Sequence, residues 1–104
     1  MNKAYIMRST PRQIVEENSV DEIGAAFDSY VTGSNRNPDF LFDGTCPDEY
    51  LDEDFTTEIC EQLLVEWYDE RDEERECTAE ELVIAYKLHV AWYVKVNQEM
   101  EVAV

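Results

Sequence analysis

Apolar positions recur at helical spacing along much of the chain. Val20, Ile23, Phe27 and Tyr30 stand three or four residues apart, which lines their side chains along one face of a helix. Ser19, just before them, and Glu22 have the spacing of a capping box, so the pattern predicts a helix running to about Val31. An earlier start is marked by Thr10, Pro11 and Gln13: a cap, a proline where no N–H is needed, and a Gln three residues after the cap. That helix is expected to be short, about residues 11–17. Gly33 to Pro47, with Ser34, Asn35, Asn37, Pro38 and Gly44, reads as a long loop. Phe40 and Phe42 alternate around Leu41 and are expected to pin it to the core.

A third helix is expected from near Asp54, past Trp67, towards Glu76. Ile59, Cys60, Leu63, Leu64, Trp67 and Tyr68 share one broad arc at a helical pitch. Glu58, Glu61, Asp69, Asp72 and Glu76 share the opposite arc, with Glu66 and Glu73 at its edge. The helix would bury one side and show a carboxylate stripe on the other. Glu66–Glu70 and Asp69–Glu73 are like-charge pairs one turn apart, each costing about 0.2–0.5 kcal/mol. Arg71 and Arg75 relieve only part of this, so fraying is expected at the end of the helix.

The last apolar segment, Leu82 to Val96, supports two readings. Ile84, Tyr86, Leu88, Val90, Trp92, Val94 and Val96 alternate with the other positions as in a strand, which would make the fold α+β. A capping pair at Thr78 and Glu81 and a length of about 18 residues favour a helix. On that helix Lys87, Ala91 and Lys95 would form a thin polar side, and the rest would be buried. The expected fold is mainly α: one domain over residues 1–104, a small bundle of three or four helices.

Charge changes the picture. The chain of 104 residues has 25 acids and 8 bases, a formal net charge of −17. Hydrophobic residues make up 44%, enough to build a core despite that charge. A broad nucleic-acid-binding face needs Lys and Arg, so direct nucleic-acid binding is not expected, nor is attraction to an anionic membrane. The start, Met1 to Pro11, holds no apolar run of the signal-peptide kind, and no segment approaches the ~20 apolar residues of a membrane span. Three widely spaced cysteines, Cys46, Cys60 and Cys77, then read as reduced thiols in the cytoplasm.

Candidate chemistry is sparse. Cys46, Cys60, Cys77 and His89 lack the close pairing of a zinc site. The run from Asp48 to Asp54 is rich in carboxylates, but an EF-hand loop counted from Asp48 would need Gly at 53 and Glu at 59, where Glu53 and Ile59 stand. The single histidine, His89, lies in the most apolar segment, which suits a core position better than catalysis. No phosphate loop or nucleophile motif appears. The expectation is a non-enzyme with no metal and no cofactor.

What stands out is where the acids are. Residues 39–81 carry 18 acids and two bases, a net −16, whereas the flanking segments are nearly neutral. A general adaptation to salt or solubility would spread charge over the whole surface. In size and charge the chain resembles the small acidic nucleic-acid mimics that phages and mobile elements encode as inhibitors of restriction and CRISPR systems. That resemblance implies a basic, nucleic-acid-binding protein as partner. It would meet Asp48, Glu49, Asp52, Glu53 and Asp54 together with Glu58, Glu61, Glu66, Asp69, Asp72, Glu73 and Glu76. Tyr50 and Tyr68 would stack on guanidinium groups at the rim. Two other readings share these electrostatics: an antitoxin or immunity protein that neutralises a basic toxin, and an acidic regulator whose stripe is only solvated.

Overall fold

A computed structural model describes residues 1–31, 46–53, 56–71 and 78–102, with side chains for 1–31, 46–53, 56–66 and 78–99. Among these residues five α-helices occur: α1 Lys3–Arg8, α2 Pro11–Glu17, α3 Val20–Tyr30, α4 Thr57–Arg71 and α5 Ala79–Val102, with a 3-10 turn at Pro47–Tyr50. The protein is mainly helical, as its periodicity predicts, and the described residues hold no strand. The expected loop at Gly33 to Pro47, with Phe40 and Phe42, lies mostly outside the described residues.

Each start has a chemical reason. Asn2 caps α1 by accepting from the Tyr5 amide at 2.9 Å. Thr10 with Gln13, and Ser19 with Glu22, form reciprocal capping boxes on α2 and α3. Thr56 Oγ1 accepts from the Ile59 amide at 3.3 Å, and Thr78 Oγ1 from the Glu81 amide at 3.1 Å. Such caps satisfy N–H groups that a helix start leaves without partners and contribute about 1 kcal/mol each.

The strand alternative for Leu82–Val96 is overturned: the whole segment lies within α5. All ten residues from Leu82 to Ala91 are buried, nearly three turns with no solvent side. A helix apolar on every side is stable only when others surround it, and α1, α2, α3, α4 and the 3-10 turn all pack on α5. Uniform burial is also why alternation was ambiguous there. An element buried all round has no polar phase to reveal its period.

The thin polar side expected of α5 is corrected by the same burial. Ala91 is fully buried and Lys87 is 5% exposed. Lys87 Nζ donates to the carbonyls of Ile6 (3.1 Å) and Met7 (2.8 Å) in the last turn of α1. Lys95 Nζ donates to Val15 O (3.2 Å) in the last turn of α2. Both lysines therefore supply positive charge and donors where a helix end leaves carbonyls and a negative pole.

Candidate acidic interface

The acidic segment enters the described structure at the 3-10 turn. Asp48 and Glu49 are exposed on that turn, and Asp52 and Glu53 are exposed just after it. Pro47 suits the first position of such a turn, and the amides of Glu49, Leu51 and Glu53 donate to the carbonyls three residues earlier. Leu51 and Tyr50 are half-buried against the core. The Tyr50 ring meets buried Tyr86 edge to face, with centroids 5.3 Å apart. Tyr50 thus anchors the turn to α5. Burial, followed by the neighbouring Tyr50, pushes the Tyr86 hydroxyl far above the usual tyrosine range.

α4 continues the face. Cys60 and Leu64 are fully buried and Leu63 is half-buried, so this side of the helix meets α5 as expected. Ile59 is 44% exposed, a correction to the expected apolar arc: the buried stripe is narrower and centred on Cys60 and Leu64. Glu58, Glu61 and Glu66 are exposed, with Gln62 Nε2 reaching Glu66 Oε1 at 3.5 Å between them. From Glu58 to Glu66 the axis advances about 12 Å. The backbone of Asp69 lies in α4, but its side chain and that of Tyr68 lie outside the described residues, as do Asp54, Asp72, Glu73 and Glu76. The structure thus brings seven of the twelve expected carboxylates onto the turn and the adjoining helix.

Asp52 is held by a base. Arg12 Nε donates to Asp52 Oδ1 at 2.7 Å and Arg12 Nη2 donates to Oδ2 at 2.9 Å, a two-pronged pair between residues 40 apart. The hydrogen bond from Arg12 holds the Asp52 carboxyl below its ordinary range. In return the bond and the charge of Asp52 raise Arg12 above its own. The Arg12 amide also donates to Leu51 O at 3.1 Å. Periodicity gave no sign of this partner. Position did: Arg12 sits in the first turn of α2, at the positive pole of a helix, where an acid would be favoured.

Other chemistry is scarce among the described residues. No group of three or more His, Cys, Asp or Glu is placed to hold a metal ion. His89 is buried, with Phe27 edge-on at 4.8 Å and Tyr93 stacked at 6.2 Å. No described helix is long and apolar enough to cross a membrane. No family model, curated protein or solved structure matches the chain.

Proposed function

We propose that the protein is a non-enzymatic inhibitor that imitates the charge of a nucleic-acid backbone and occupies a cationic groove on a basic, nucleic-acid-binding protein. The observation that carries this reading is the exposed series Asp48, Glu49, Glu53, Glu58, Glu61 and Glu66, borne by a 3-10 turn, the residue stretch just after it and a helix, with turn and helix both packed on the core. Duplex DNA presents one charge per ~1.7 Å of axis. A helix with a rise of ~1.5 Å per residue, acidic at every third to fifth position and flanked by an acidic turn, offers a shorter and sparser version of the same field. Carboxylates on ordered elements lose less freedom on binding than those of a disordered tail. Self-repulsion within a segment of net −16 works against the fold, and a binding role gives a reason to retain it. A phage or mobile element that must silence a restriction or CRISPR nuclease is a fitting source.

The test has two steps. The protein is first used to capture basic host proteins, with elution in salt steps. A captured nucleic-acid-binding protein is then loaded with labelled nucleic acid and challenged with wild type or with the triple variant Glu58→Gln, Glu61→Gln, Glu66→Gln. The wild type should displace the nucleic acid, and less well as salt shortens the Debye length from ~14 Å at 0.05 M to ~4 Å at 0.5 M. The variant should compete at least tenfold less well, at about 1.4 kcal/mol per factor of ten. Equal competition by the two proteins sinks the proposal. Binding to a basic toxin at a site that takes no nucleic acid would replace it with neutralisation.

A further inference from the structure

The acidic turn and α4 are consecutive in sequence, yet the turn is tied sideways to α2. The ties are the two-pronged Arg12–Asp52 pair and the bond from the Arg12 amide to Leu51 O. That amide is one of the donors a helix start leaves without a partner, and the first turn of α2 spends it on the acidic segment. The neighbouring Gln13 amide goes to Thr10 Oγ1. A lone exposed ion pair contributes little, but fork-to-fork geometry fixes direction as well as distance. On the inner side the turn rests on Tyr86 through Tyr50. Arg12 supplies the outer hold.

We infer that Arg12 is a positioning residue for the partner-binding face, holding the turn so that Asp48, Glu49 and Glu53 stand in a fixed relation to Glu58 and Glu61 on α4. This rests on the acidic face being the binding face. The inference runs against simple electrostatics. Arg12 is a positive charge beside an acidic surface, and its removal makes the protein one unit more negative. If only net charge mattered, a basic partner would bind Arg12→Ala faster and more tightly. If position matters, binding weakens although the attraction grows.

The probe is an alanine-based helical peptide bearing arginine at every fourth position, titrated calorimetrically at low salt. Arg12→Ala should bind it more weakly than wild type. The pair Arg12→Ala with Asp52→Ala keeps the net charge and should also bind about threefold more weakly, the scale of one well-formed surface pair. The exchanged pair Arg12→Asp with Asp52→Arg keeps the charge and can rebuild the tie, and should return affinity to near wild type. Hydrogen exchange at the Leu51 and Glu53 amides should quicken in both alanine variants and recover in the exchanged pair. Tighter binding by Arg12→Ala, or equal binding and exchange by all charge-matched proteins, overturns the inference. The Gln variant of Glu58, Glu61 and Glu66 serves as reference. If it binds the peptide as wild type does, the acidic-face reading itself fails. If it binds weakly while the Arg12 variants bind normally, only the positioning role falls.

Discussion

Lys87 Nζ lies 2.8 Å from the carbonyl oxygen of Met7, eighty residues earlier, and 3.1 Å from that of Ile6. The lysine is buried in the third turn of α5, and its charge is directed onto the C-terminal end of α1. α1 is only six residues long, too short to persist on its own helical propensity. Its Ile6 side chain and this lysine dock it.

Lys87→Met should therefore destabilise the protein although it removes a buried charge. Methionine keeps most of the volume but takes the donor from Met7 O and leaves Ile6 O with only the Ser9 amide at 3.3 Å, at about 1–3 kcal/mol for a buried group. Lys95→Met should cost less, about 1 kcal/mol, because Lys95 is half-buried and reaches one carbonyl. Urea denaturation of both variants checks the order. An equal or larger loss for Lys95→Met contradicts it.

Gly24→Ala should destabilise α3 despite the better helix propensity of alanine. A Cβ at Gly24 would stand 2.9 Å from Cζ3 of Trp92, whose ring packs on the core beside Phe27. Moving that ring costs about 1–3 kcal/mol, more than the ~1 kcal/mol gained in propensity. A melting temperature at or above wild type would show that the ring yields freely.

The stability difference between wild type and Asp52→Asn should depend on pH with a definite sign. Arg12 holds the folded carboxyl below its ordinary value of 3.8, so the folded state binds a proton less readily than the unfolded one. The contribution is fully present above 3.8 and fades as pH falls through the lower folded value. Denaturation at pH 7 should separate the two proteins, and denaturation near pH 2 should bring them together. A gap that widens in acid has the wrong sign.

Tyr86 predicts the opposite dependence at high pH. Its hydroxyl is raised by burial, so the unfolded chain ionises first, near the ordinary value of 10.0. Stability due to this group is complete below pH 10 and declines above it, where the unfolded state releases the proton and the folded state keeps it. The stability of Tyr86→Phe should fall less steeply between about pH 9 and 11. Parallel curves would place the alkaline loss in other groups.

Local chemistry was the most legible level of the sequence. Thr10–Gln13 and Ser19–Glu22 marked two helix starts that the structure keeps, because a cap is decided by residues within one turn of each other. α1 was missed for lack of length: one buried residue, Ile6, sets no period, and its cap Asn2 stands alone. Lys87 was misplaced because an unpartnered lysine belongs in water, and its partners lie eighty residues away in a helix not foreseen. The exposed acids of the turn and of α4 were legible from charge alone. Arg12 was not, since no local rule links position 12 to position 52, and only its place at the disfavoured end of α2 hinted at a partner.

The all-round burial of α5 carries a consequence for synthesis. A ribosome makes residues 1–78 before the segment on which α1, α2, α3, α4 and the turn all lean. Until α5 emerges, Ile6, Ile14, Ile23 and Leu64 lack the surface that covers them in the finished fold. Such a nascent chain is at risk of sticking to its neighbours. Most of the chain's negative charge, a net −15 of the −17, lies in that waiting portion. Mutual repulsion would keep unfinished chains apart, so the charge that strains the folded protein protects it while it is being made.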